Sequence, residues 1–327
     1  MQISMWRSLK SFALLLLVLI QLSWGFYGHR KINRMAVFTL PPEMVGFYKR
    51  NIEFLSAHAV DADKRRYISE EEAPRHYIDI DHYAAEGEDP FERMPQRWNE
   101  AVEKFSEDTL KKYGIVPWHI LLTQERLKEA FAKKDPLRIL TLSADLGHYV
   151  ADAHVPLHTT ENYNGQLSGQ KGIHGLWESR IPELTASSFD FLVRRASYLN
   201  KAQESVWKAI KESHQYVPLV LKLEKETNDE LSPDEKYVIA ARGKTMNKQY
   251  SELYAKTYNT KMGDMVEERM RKAVKMIGDF WFTAWVDAGQ PDLDQLTPDR
   301  KKLEQIEKNS VSDSSKTGIR SRGRKHE

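Results

Sequence analysis

Between Asp145 and Arg180 the chain carries His148, Asp152, His154, His158, His174 and Glu178, its densest run of side chains able to bind a metal. The order is His-x3-Asp-x-His-x-Pro-x-His, followed by His-x3-Glu. On a helix, residues four apart project from one face about one turn apart. His148 and Asp152 form one such pair, and His174 and Glu178 form a second on the helix expected next. Pro156 is expected to end the first helix and to leave His158 in the loop beyond it. Two helical pairs and a loop histidine can converge on one small polar volume. Neutral imidazole nitrogen and carboxylate oxygen are the donors that zinc takes where thiolate is absent. The sequence has no cysteine, which removes thiolate sites and disulfides together.

The elements that must position these groups are helical. Asp135-Pro136 reads as an N-cap with proline at the first helical position, opening the helix that carries His148 and Asp152. Upstream, Met35, Val37 and Phe38 suggest a helix stopping before Pro41-Pro42, and a second helix follows through Leu55. The stretch from Ala59 to Tyr83 reads as loop-like, leading into an extended or irregular segment, His76 to Asp81. Trp98, Val102 and Phe105 lie on one stripe, while Trp118, Leu121, Leu122 and Leu127 begin another. Ser232 to Glu235 reads as a capping box. A last strong helix runs from about Gly263 to Val286, with Met265, Met270, Val274, Ile277 and Phe280 or Trp281 facing inward. No internal repeat and no run of strand-like alternation stands out.

Of the 327 residues, 41% are hydrophobic and 29% charged, which suits long amphipathic helices around a substantial core. Residues 1–23 read as a signal peptide. Arg7 and Lys10 precede the apolar run Phe12 to Ile20, and Ser23 offers a small residue for cleavage. That run is shorter than the roughly 20 residues a spanning helix takes, so no stable membrane anchor is expected after processing. A periplasmic or secreted location follows. Residues 24–300 form the expected single domain, and residues 309–327 a disordered, basic tail. Without its two ends, Trp24 to Asp299 holds 38 Lys and Arg against 43 Asp and Glu, a net charge of −5. A globally basic nucleic-acid-binding surface is not supported by this balance.

The motif from His148 to Glu178 resembles that of zinc-dependent phospholipase C and of the S1/P1-type single-strand nucleases. Three further pieces match. Trp24-Gly25-Phe26-Tyr27-Gly28-His29 is similar to the start of the mature nuclease chain. Asp63 and Arg66 match a ligand aspartate with an arginine three positions later, and Asp61 is a rival for the ligand. His76-Tyr77-Ile78-Asp79 resembles a His-aromatic-x-Asp segment.

The resemblance implies an all-α fold, a single multi-helix domain around a trinuclear zinc site, that hydrolyses phosphodiesters. It places Asp63, His76, His148 and Asp152 on one zinc, and His158, His174 and Glu178 on a second. The free amine and carbonyl of Trp24, with His29, would hold a third, bridged to the first by Asp152. Arg66 would hold the substrate phosphate, and Asp79 would orient an imidazole from behind. His154, His58, His82 and His119 are left without a ligand role. Arg65 is expected in a surface ion pair with Glu70 to Glu72.

Arg66, Asp63 and Asp152 are thus the candidate catalytic residues. The substrate is a phosphodiester, either single-stranded nucleic acid or a phospholipid headgroup. Trp24 to His29 and the Asp63/Arg66 spacing favour the nuclease; glutamate at position 178 favours the phospholipase. Phe26, Tyr27, Tyr77 and Tyr163 suit base stacking, a headgroup pocket or core packing. A periplasmic zinc-binding protein without turnover is the alternative, and no protein partner is inferred.

Overall fold

The structure, a computed structural model, describes residues 27–242, 245–299 and 301–303. The leader, Trp24, Phe26 and the basic tail lie outside the described residues.

The first helix, α1 (Tyr27–Ala36), runs into a 3-10 turn at Val37–Thr39 and stops at the two prolines, as expected. Beyond them α2 (Pro42–Arg50) has proline at its start, and α3 (Ile52–His58) follows. One continuous helix was expected here. The chain leaves helical geometry at Asn51, where φ is −114° and ψ 18°, and the Asn51 side-chain Nδ2 donates to the Phe47 carbonyl at 2.8 Å. Asparagine competes for backbone in this way and favours breaks over helix interiors.

The stretch read as loop instead contains α4 (Asp61–Arg65). Its acids stand in the first turn and its bases in the last, which complements the helix dipole. Next come α5 (Trp98–Phe105), α6 (Glu107–Tyr113), α7 (Val116–Ala132) and α8 (Pro136–Asp152). At the start of α8 the Asp135 carboxylate accepts from the Arg138 amide at 3.0 Å, with Pro136 in the first turn. Leu122, expected on the buried stripe of α7, is exposed.

The chain closes with α9 (Ala202–Gln215), α10 (Val217–Glu230), α11 (Glu252–Met262) and α12 (Met265–Asp287). The last of these is the spine, packing on α1, α7 and α8. Met265, Met270, Val274, Ile277, Phe280 and Trp281 are all buried along it. Trp281 stacks on Tyr48 at 4.9 Å, and its indole N–H donates to the Ser143 carbonyl at 3.1 Å. Truncating a buried indole of this kind costs about 3–5 kcal/mol.

Between α10 and α11 lies a hairpin that the sequence reading missed. β1 (Tyr237–Arg242) pairs antiparallel with β2 (Thr245–Tyr250), Tyr237 facing Tyr250. The β-branched pair Val238-Ile239 and the glycine between the strands were the available signals. Tyr250 is buried and Tyr237 packs on the core, whereas Ile239 and Met246 are exposed.

Helices α1 and α8 approach each other closely. Gly147 on α8 faces Asn33 on α1, and a Cβ there would lie 2.1 Å from Asn33 Oδ1. Asn33 fills this space and donates to the His29 carbonyl at 3.1 Å. Glycine at 147 thus lets two helices carrying His29 and His148 come together.

Candidate metal centre

Six segments, α8 among them, converge at the C-terminal end of that helix. The helix supplies His148 and Asp152 from one face, as the spacing predicts. It ends at Asp152, before Pro156, which opens a 3-10 turn, Pro156–Thr159, that carries His158. Proline suits this position because the first residues of a helical turn donate no internal hydrogen bond. Another 3-10 turn, Ala73–His76, supplies His76, and α4 supplies Asp63. His29 comes from the start of α1. His174 and Glu178 sit on the short turn Ile173–Gly175 and the π-helical turn Leu176–Arg180 that continues it. Such π turns recur at functional sites because they re-aim a side chain.

The donor atoms fall into three sets: Asp63, His76 and His148; His29, His148 and Asp152; His158, His174 and Glu178. Within each, one atom per residue lies within 4.8 Å of the others. His148 Nε2 is 3.0 Å from His76 Nδ1 and 3.8 Å from Asp63 Oδ1. Asp152 faces both ways. Its Oδ2 lies 2.9 Å from His76 Nδ1 and 3.3 Å from His148 Nε2, while its Oδ1 lies 3.4 Å from His29 Nε2. In the remaining set, His158 Nε2 is 2.9 Å from His174 Nε2, and Glu178 Oε2 is 3.2 and 2.7 Å from these nitrogens. Glu178 Oε1 reaches His29 Nε2 at 2.8 Å, a second contact that the sequence reading did not anticipate.

These residues fit a metal. Ligands about 2.0–2.1 Å from a tetrahedral zinc stand roughly 3.3 Å apart, close to the separations here. Backbone carbonyls hold two of the rings from behind. His148 Nδ1–H donates to the Ala59 carbonyl at 2.8 Å and His158 Nδ1–H to the His76 carbonyl at 2.6 Å. That leaves each Nε2 lone pair aimed at the centre, the usual arrangement behind a metal-bound histidine. Asp152 Oδ1 is buried without a hydrogen-bond partner, a position that is costly unless a cation occupies the space beside it.

Electrostatics agree. Burial alone would lower the basicity of His148, but the Asp152 and Asp63 carboxylates outweigh it and raise its pKa to about 10. Burial works to raise Asp152, and His148 and His158 overcome it, holding that carboxyl well below its usual range. Glu178 is depressed in the same way, against burial, chiefly by His158. The carboxylates and imidazoles of the cluster are thus strongly coupled to one another.

Several residues are placed elsewhere. Asp61 binds His58 Nδ1 at 2.5 Å and Lys64 at 2.7 Å, away from the three sets, so Asp63 is the aspartate that joins them. His154 turns from the centre and donates to the Val150 carbonyl at 2.8 Å; burial and then Arg269 keep it neutral. Arg269, itself buried, donates to the His154 carbonyl at 3.0 Å and pins this turn to α9 through the Ala209 carbonyl at 2.9 Å. Tyr77 is buried, its hydroxyl donating to the Lys112 carbonyl at 3.2 Å, whereas half-buried Tyr163 stands edge-on to His174.

Arg66 lies 3.7 Å from Asp63 with its side chain partly exposed. Arg65 does not make a surface pair. It contacts the buried Glu72 at 3.3 Å and Asp145 at 3.0 Å. Behind His76 stands Glu72, whose Oε1 lies 3.6 Å from Nε2. Glu72 was overlooked, although it precedes His76 by four residues and so repeats the device seen in His148/Asp152 and His174/Glu178.

No curated protein matches the chain. Residues 24–275 match the S1/P1 nuclease family, whose members are metal-dependent hydrolases of phosphodiester bonds. The match begins at the tryptophan where the leader is expected to end and contains every residue of the three donor sets. An all-α scaffold and a match over most of its length make this chain a member of the S1/P1 nuclease family.

Proposed function

We propose that this protein is an exported, zinc-dependent phosphodiesterase that cleaves single-stranded nucleic acid at a centre of three zinc ions. The observation that carries this reading is the convergence of eight histidine and carboxylate side chains at separations suited to shared ions. Asp63, His76, His148 and Asp152 would hold one zinc, and His158, His174 and Glu178 a second. His29 and Asp152 would hold the third with the amine and carbonyl of Trp24. Removal of residues 1–23 would free that amine, and the start of the family match at residue 24 supports this boundary.

When bound, zinc supplies a water that ionises near neutral pH and a Lewis acid for the phosphoryl oxygens. The chain's own residues do the rest. Arg66, beside Asp63 and partly exposed, would offer paired N–H donors to the phosphate. Ala59 and His76 carbonyls keep the imidazoles of His148 and His158 turned inward. Tyr163 beside His174 would present a ring on which an unpaired base can stack. A base inside a duplex would first have to unstack, which favours single strands.

The test is a side-by-side assay of the exported protein on single-stranded DNA, RNA and phosphatidylcholine, with zinc counted by mass spectrometry. The expected result is about three zincs per chain and chelator-sensitive cleavage of single strands, with phosphatidylcholine untouched. Release of phosphocholine without nucleic-acid cleavage would assign the centre to phospholipids. A full zinc complement with neither activity would leave a metal-binding protein.

A further inference from the structure

Glu72 belongs to none of the three donor sets, yet its side chain is only 1% exposed. A buried carboxylate needs several partners to offset its desolvation, and Glu72 has them. The Tyr149 hydroxyl donates to Oε1. Arg65 donates from Nε to Oε2 at 3.3 Å and from Nη2 to Oε1 at 3.4 Å, and Arg75 donates to Oε2 at 2.7 Å. His76 Nε2 lies 3.6 Å from Oε1.

The identity of these neighbours is the point. Tyr149 follows His148, Arg65 is two residues beyond Asp63, and His76 is a candidate ligand itself. One carboxylate therefore ties together the three segments that supply the first donor set. Arg65 also donates to the Tyr149 hydroxyl at 3.1 Å, closing the network between α4 and α8.

His76 differs from its companions in which nitrogen it turns inward. Its Nδ1 faces Asp152 and His148, and its Nε2 is buried on the far side without a hydrogen-bond partner. An imidazole can ligate through Nδ1 only when its other proton sits on Nε2, and a buried N–H needs an acceptor. The His148 and His158 rings obtain theirs from carbonyls, whereas at His76 the facing group is Glu72.

We propose that Glu72 is the positioning residue of the metal centre, accepting the Nε2 proton of His76 so that Nδ1 is presented to the ion shared with Asp63 and His148. The inference rests on the zinc centre proposed above and adds a residue that touches neither metal nor substrate. Glutamine at this position keeps the shape. It can, however, turn an amide N–H toward His76, which favours the other tautomer and withdraws the lone pair from the centre.

Two measurements test this. Nitrogen-15 NMR of histidine-labelled, zinc-loaded wild type should show His76 protonated at Nε2. Chelator competition on Glu72→Gln should show one zinc held about 10–100-fold more weakly and the others unchanged. Tyr149→Phe, which leaves the carboxylate against the ring, should bind zinc within a few-fold of wild type. A loaded wild type with Nε2 bare, or a folded Glu72→Gln that keeps every zinc at wild-type affinity or loosens all of them equally, overturns the inference. Should Glu72→Gln fail to fold, the wild-type tautomer decides. These outcomes are separate from failure of the proposed function, which is read from the zinc content and activity of the wild type.

Discussion

At the scale of single residues, the two carboxylates Asp152 and Glu178 invite a direct comparison. Each sends one oxygen toward His29 and the other toward a different set. Asp152 is the more enclosed, and it adjoins both sets that contain His148. Asp152→Asn should therefore cost more bound zinc and more activity than Glu178→Gln, measured by elemental analysis and turnover on one preparation. Equal losses would show that the Glu178 contact with His29 is a second bridge. Arg66 is a different case, because its guanidinium joins no donor set. Arg66→Ala should keep the full zinc complement and lose about 10²–10³ in kcat, the loss expected on removing one donor that stabilises developing charge. Loss of zinc together with activity would assign Arg66 to holding Asp63 in place.

At the scale of elements, the centre depends on how closely α1 and α8 approach. Gly147→Ala pushes a methyl into Asn33, so it should destabilise the fold by about 1–3 kcal/mol and loosen zinc, with His148 next in sequence. Thermal melts with and without added zinc would show it; an unchanged melting temperature would mean that Asn33 moves aside freely. Much of this layer was legible in the sequence because its signals are local. The Asp135-Pro136 start of α8, the inward face of α12 and both i,i+4 pairs depend on residues within a turn or two of each other. Less local features escaped. The spacing to Arg66 favours Asp63 but leaves Asp61 a rival, and packing of Asp63 against His76 and His148 separates them. Asn51 breaks a helix, and the hairpin of β1 and β2, exposed at Ile239 and Met246, lacks the alternation that burial on one face imprints. Glu72 sat in an acidic run that reads as a solvated surface. Its burial follows from Arg65, Arg75 and Tyr149, which come together only in the folded chain.

At the scale of the whole molecule, the donors come from segments as far apart in the chain as α1 and the turn at Glu178, and no helix among the described residues is long and apolar enough to cross a membrane. The two turns that carry His76 and His158 grip each other in both directions. The His158 ring donates to the His76 carbonyl, and the Ile78 amide donates back to the His158 carbonyl at 2.9 Å. Through this clasp, ordering one turn also orders the other. On the proposed zinc centre, the first ion to arrive would meet the entropic cost of fixing both turns, and the next would find its ligands already in place. Uptake should be cooperative: zinc added to the metal-free protein should give a binding curve steeper than independent sites allow, and intermediate species should be scarce in native mass spectra. A ladder of evenly populated one-, two- and three-zinc forms would mean that the clasp transmits nothing.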